Sequence, residues 1–210
     1  MPSGAKRPGS RGPADLVVSL YEAHADAWDE IRRRHFLEEA WFDRFLALLP
    51  AVQASILDIG CGAGEPVARH CIERGHRVTG LDAAPALVGL CQARFPGHDW
   101  LAGDMRTLAL GRTFDGIIAW NSLFHLPPAD QRGMFPIFRR HANPKAALIF
   151  TSGTGHGEAV GTFQGEPLYH GSLDVREYRH LLESNGFDVI SYVMEDPDCG
   201  GATIWVARLA

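Results

Sequence analysis

Ile56-Leu57-Asp58-Ile59-Gly60-Cys61-Gly62-Ala63-Gly64-Glu65-Pro66 is the stretch that decides how this chain is read. An apolar run ends beside an acid, glycines follow at every second position, and Pro66 suits the first turn of a helix, where a missing N–H costs nothing. A strand that stops in a glycine-rich turn at a helix N-terminus builds a nucleotide-cofactor site in doubly wound α/β folds. The glycines let the backbone approach a ligand that any Cβ would push away. A dinucleotide fingerprint, G-x-G-x-x-G, would place its third glycine after Gly60 and Gly62 at position 65, which is Glu65. An anion docked on this helix start would meet that carboxylate.

Outward from this turn the chain alternates. Apolar runs read as strands at 55–59, 77–81, 98–101, 114–120, 145–151, 187–194 and 201–208, with helices at 64–74, 84–94, 128–141 and 174–185. Alternating strands and helices predict a mostly parallel sheet with helices on both faces. The last two strands are joined only by Asp196-Pro197-Asp198-Cys199-Gly200, too short for a parallel crossover, so they form a hairpin. The expected fold is therefore α/β: a doubly wound, mostly parallel seven-stranded sheet with one antiparallel strand in a C-terminal hairpin. Gly75 fits a left-handed helix stop, and Asp174 with Glu177 fits a capping box before a helix that Asn185-Gly186 ends. Pro136 should kink or divide the 128–141 helix. Residues 152–172 read as a long glycine-rich loop, and loops of that length are usually functional. Residues 14–49 read as two helices, closed by Pro50.

Composition limits the function. The 210 residues are 46% hydrophobic with a net charge of -5, enough for one sizeable core and without the basic face that nucleic-acid binders carry. The one basic cluster, Arg32-Arg33-Arg34, reads as a solvated helix face. The cysteines at 61, 71, 91 and 199 form no C-x-x-C pair, which argues against a metal site and for a reducing, cytoplasmic setting. No apolar run is long enough to cross a membrane. Residues 1–13, rich in Pro, Gly and basic residues, read as a disordered arm before a single domain over 14–210.

The D-x-G-x-G-x-G pattern of Asp58, Gly60, Gly62 and Gly64 resembles motif I of the class I S-adenosylmethionine (AdoMet) methyltransferases. The resemblance continues in Val78-Thr79-Gly80-Leu81-Asp82, in Gly103-Asp104-Met105 and in Phe114 to Ser122, and it covers residues 15 to 210. It implies AdoMet as cofactor. Asp82 would accept from the ribose diol, Asp104 from the adenine amine, and Met105 would pack on the base. Gly60, Gly62 and Gly64 would pass beneath the methionine part, Asp58 would steady its amino group, and the Asn121 carbonyl would face the same end. It also implies an N-terminal helical lid over 14–50, with Tyr21 capping the cofactor and Trp28 lining the substrate entrance. Asp115 matches the family but reads as a strand-entry residue.

Methyl transfer from a sulfonium is an in-line displacement that needs alignment, and a base only where the nucleophile must lose a proton. His125, in the loop after the fourth strand, is the candidate catalytic base. His156, Glu158, Tyr169 and His170 are candidates for the acceptor-pocket wall. The expected activity is methylation of an oxygen or nitrogen on a small molecule. An AdoMet-binding regulatory protein without transferase activity and an NAD(P)-dependent oxidoreductase are the alternatives; binding and chemistry are separable, and only the glycine spacing opposes the latter.

Overall fold

The computed structural model describes residues 12–51 and 53–210, so most of the expected N-terminal arm lies outside the described residues. Three helices open the chain: α1 (Pro13–Ala23), α2 (Ala25–Arg34) and α3 (Glu39–Leu46). The alternating part follows as β1 (Ser55–Ile59), α4 (Val67–Glu73), β2 (Arg77–Asp82), α5 (Pro85–Arg94), β3 (Asp99–Ala102), β4 (Phe114–Ala119), α6 (Pro128–Arg140) and β5 (Ala142–Ser152). Next come β6 (Gly157–Phe163), β7 (Glu166–Ser172), α7 (Val175–Ser184), β8 (Phe187–Asp196) and β9 (Ala202–Leu209).

The main sheet has the order β3-β2-β1-β4-β5-β9-β8. Its strands are parallel except β9, which runs antiparallel to both β5 and β8. The order reverses at β1 and β4, and in such sheets the crevice beyond the strand C-termini at that switch is where ligands bind. Both faces are covered, so the central strands are apolar throughout rather than alternating. Ile56, Ile118 and Ile149 turn to the layer of α3, α4 and α5, while their neighbours Leu57, Ile117 and Leu148 turn to α6 and α7. At the opposite, N-terminal edge, Asp115 accepts from the Ser55 amide at 2.8 Å and from Asn143 Nδ2 at 2.8 Å, tying β1, β4 and β5 together.

Several expectations are corrected. The first helix starts at Pro13, and residues 14–49 form three helices, not two. Only α1 and α2 lie over the sheet's C-terminal edge. α3 buries Trp41, Phe42 and Phe45 in the core layer and is no lid. Pro136 leaves α6 unbroken because it sits on the exposed face, where water can serve the freed carbonyl, while Met134, Phe135, Ile137 and Phe138 anchor both halves. Asp174 caps α7 through the Arg176 amide at 2.8 Å, but no capping box forms, because Glu177 pairs with Arg132 instead.

The 152–172 segment is not a loop. β5 runs on to Ser152, and β6 and β7 form a separate two-stranded antiparallel sheet turned by Gln164 and Gly165, with φ of 53° and 82°. Positive φ at both turn residues matches the twist of a tight hairpin. Sequence alternation gives no sign of these strands. They are held from a distance, by Val17 and Leu20 of α1 packing on Leu168 and Tyr169 of β7.

Candidate functional site

The turn after β1 has the conformation its glycines demand. Gly60, Gly62 and Gly64 have φ of 78°, 55° and 76°, a region that costs an L side chain energy. Space is closed as well: a Cβ on Gly60 would lie 2.2 Å from the Ser122 Cβ, and one on Gly62 would lie 3.1 Å from Trp28 Nε1. β2 pins the turn, since the Gly60 amide donates to the Leu81 carbonyl at 2.7 Å and the Gly62 amide to Asp82 Oδ2 at 2.9 Å.

Three spaces meet at Asn121, and the first and third border this turn. The first, about 600 Å³, is lined by Tyr21, Asp82, Asp104, Met105, His125 and the glycine turn. The third, about 40 Å³, lies between Asp58, Arg32, Trp28, Trp120 and the same turn. The second, about 630 Å³, opens over the ends of β4 and β5 and is lined by Trp120, Phe124, Thr151, Glu158 and His170. Asn121 borders all three. It has a φ of 50°, held there by its amide donating to Thr151 Oγ1 at 2.9 Å.

In the first cavity, Asp82 accepts backbone amides on both oxygens, from Gly62 and from Ala84 at 2.9 Å each. These fix its carboxylate and leave lone pairs for a ligand. Burial lifts its pKa despite those bonds. Asp104 is held at its rim by Arg106, with contacts of 2.6 to 3.0 Å, and the guanidinium keeps its carboxyl below the usual range. Met105 lines the cavity floor.

Asp58 is 3% exposed, and burial, with Asp82 nearby adding like charge, pushes its pKa up to about 7. Among the described residues no hydrogen bond offsets that burial, and the charge of Arg32 offsets it only in part. A carboxylate so placed is short of a hydrogen-bonded partner. Arg32 is the residue that sequence reasoning missed. It is not on a solvated face: its side chain is 18% exposed, pairs with Glu38, and borders the second and third spaces. The signal available was helical spacing, for Trp28 and Arg32 stand four apart on one face of α2. Arg33 and Arg34 behave as expected, pairing with Asp29 and Glu30 one turn away.

His125 is placed differently from its expected role. Its Nδ1 bonds the Tyr169 carbonyl at 2.9 Å, which requires a proton on Nδ1, so Nε2 accepts from the Tyr21 hydroxyl at 3.0 Å. Both nitrogens are used, and burial depresses its pKa to about 4. It lines the first cavity, not the second. Tyr169 is buried and serves through its carbonyl, His156 is exposed and borders none of the three spaces, and Trp28 borders the first and third. Of the residues expected at an acceptor wall, Glu158 and His170 are brought together in the second cavity. His170 is half-buried with a lowered pKa, so its imidazole is neutral at pH 7. Among the described residues no group of three or more His, Cys, Asp or Glu is arranged to hold a metal ion, and no helix is long and apolar enough to cross a membrane.

Residues 56–145 match the family model described as a methyltransferase domain. The malonyl-[acyl-carrier protein] O-methyltransferase of Salmonella typhimurium is 31% identical over 65% of this chain and 50% of its own length. The mouse 18S rRNA (guanine-N(7))-methyltransferase is 32% identical over 66% of this chain and 50% of its own. The chain thus spans about half the length of these curated relatives. Among solved structures, the Burkholderia thailandensis 1,6-didemethyltoxoflavin-N1-methyltransferase superposes with a TM-score of 0.74 at 18% identity, over 98% of this chain and 93% of that one. An amino pentose methyltransferase of calicheamicin biosynthesis from Micromonospora echinaspora gives 0.70 at 23% identity, over 91% and 97%. The strand order, the glycine turn with its paired acids and the sequence match agree: residues 56–145 are similar to a methyltransferase domain, set in a fold shared with S-adenosylmethionine-binding methyltransferases.

Proposed function

We propose that this chain binds AdoMet across the first and third spaces and transfers its methyl group to an oxygen or nitrogen of a small molecule held in the second. The observation that carries this reading is Asn121, which borders all three spaces, so that a ligand lying along the glycine turn has its midpoint at the mouth of the acceptor cavity. The residues fit the cofactor. The turn admits a ligand where a Cβ would intrude, Asp82 has lone pairs for two ribose hydroxyls, and Asp58 lacks the hydrogen-bonded donor that an amino group provides. Arg32 supplies the matching charge for a carboxylate. AdoMet contributes a methyl on a sulfonium, a leaving group that needs no proton. The protein's part is therefore alignment and exclusion of water.

Tyr21 covers the first cavity from α1, and His125 holds its hydroxyl in place. In this reading His125 is a positioning residue and not the base. Where the acceptor must lose a proton, the imidazole of His170, which lines the second cavity, is the group that takes it. Four free, buried cysteines suit a reducing compartment. The test is incubation of the purified protein with methyl-labelled AdoMet and pools of small alcohols, phenols, amines and carboxylic acids, with S-adenosylhomocysteine measured as product. Acceptor-dependent product supports the reading. Tight adenosyl binding without turnover in any pool would favour a binding protein instead.

A further inference from the structure

The third space is ringed by three charged side chains among the described residues: Asp58, Glu65 and Arg32. Glu65 is engaged by Arg69 at 2.6 to 2.9 Å and approached by Arg94 at 3.6 Å, and Asp58 is an acid. Arg32 is thus the one cation that a carboxylate entering this space can reach. Yet its Nη2 is bound to Oε1 of Glu38, which is 4% exposed and lines the second cavity. The pair straddles the wall between the two spaces. A carboxylate arriving from one side competes for a guanidinium held from the other.

We propose that Arg32 and Glu38 form an exchangeable ion pair: the cofactor's carboxylate takes Arg32, and Glu38, so released, becomes the anionic contact of the acceptor cavity for an N–H or O–H of the acceptor. The proposal rests on the cofactor placement above. A buried carboxylate stripped of its cation is costly until a donor replaces it. The exchange therefore makes cofactor binding weaker than it would otherwise be, and acceptor binding dependent on the cofactor. Among the described residues, Asp58 on β1, the Tyr21 hydroxyl of α1 and the Cys199 thiol before β9 are titratable groups that feel the charges of the pair.

The test is calorimetric titration with S-adenosylhomocysteine and with 5′-methylthioadenosine, which keeps the adenosyl part and lacks the amino-acid end. Arg32→Gln should weaken S-adenosylhomocysteine binding about ten- to a hundredfold, the range for losing a charged hydrogen bond, and leave methylthioadenosine within about twofold. Glu38→Gln should tighten S-adenosylhomocysteine binding about threefold or more, with methylthioadenosine unchanged. That gain should vanish in the Arg32→Gln background, because the two effects share one contact. A Glu38→Gln protein whose preference between the two ligands matches wild type overturns the exchange, as does equal loss of both ligands in Arg32→Gln. Should Glu38→Gln fold poorly, Glu38→Asp, which retracts the carboxylate by one methylene, must shift the preference the same way. Failure of wild type to bind methylthioadenosine would overturn the cofactor placement itself, a result separable from the others.

Discussion

Asp58 offers the sharpest quantitative consequence of the site. In the unfolded chain its carboxyl titrates near the ordinary 3.8, and in the folded, ligand-free protein at about 7. A raised acid pKa means that the folded state binds more protons than the unfolded state between those values, so stability falls as pH rises through that window. The loss is complete above about 7. The full shift corresponds to a ceiling of about 4 kcal/mol at 1.36 kcal/mol per unit, and part of it reflects the like charge of Asp82. Asp58→Asn removes the titration while keeping the shape. The unfolded carboxyl is already mostly ionised at pH 5, so urea denaturation should show the variant more stable than wild type by about 1–2 kcal/mol at pH 5 and by up to about 4 kcal/mol at pH 8.5. The same group makes cofactor binding pH-dependent with the opposite sign. An ammonium needs the carboxylate, which is about a tenth populated at pH 6 and about nine-tenths at pH 8, so affinity for S-adenosylhomocysteine should rise about tenfold over that interval. Asp58→Asn should bind poorly at every pH. Equal stabilities of variant and wild type at pH 8.5, together with flat affinity from pH 6 to 8, would refute the reasoning.

Two further outcomes are expected. Asp82→Ala should weaken S-adenosylhomocysteine binding by more than about 1 kcal/mol, since it strands two hydroxyl donors; calorimetry reads this directly, and unchanged affinity would remove Asp82 from the site. His125→Ala and Tyr21→Phe should each cost cofactor affinity, and the double variant should cost about 1 kcal/mol less than their sum because they break one shared hydrogen bond. Strict additivity, or a His125→Ala effect confined to kcat with the pH profile of a lost base, would restore His125 as the catalytic group.

The main sheet and the glycine turn were legible from sequence because both depend on local chemistry. Apolar runs in alternation with helices give a sheet whose order follows from handed, short connections. The turn at Gly60, Gly62 and Gly64 can be recognised in a single sequence because positive φ and closed space leave glycine as the fitting residue. Asp82 and Asp104 stand at strand ends by the same register that places Asp58.

The walls of the second cavity were not legible, and the reason is the distance of their partners. The β6–β7 hairpin exists because α1, some 150 residues earlier, packs on it, so its polar, glycine-rich sequence reads as loop when taken alone. His125 looks like a base in any list of titratable residues. Only the fold brings the Tyr169 carbonyl and the Tyr21 hydroxyl to its two nitrogens and ties it to α1 and β7. Arg32 sits in a run of three arginines whose exposure depends on how α2 is rotated. That rotation is fixed by Asp29, which pairs bidentately with Arg94 of α5 at 2.8 Å and carries Arg32 inward to Glu38. The sequence by itself determined the strands of the main sheet, the glycine turn and the acids that follow its strands, because spacing along the chain encodes them. Tertiary structure alone decided the β6–β7 hairpin, which titratable groups are tied and which line the second cavity, because a side chain's charge and proton are set by neighbours that packing, not spacing, supplies.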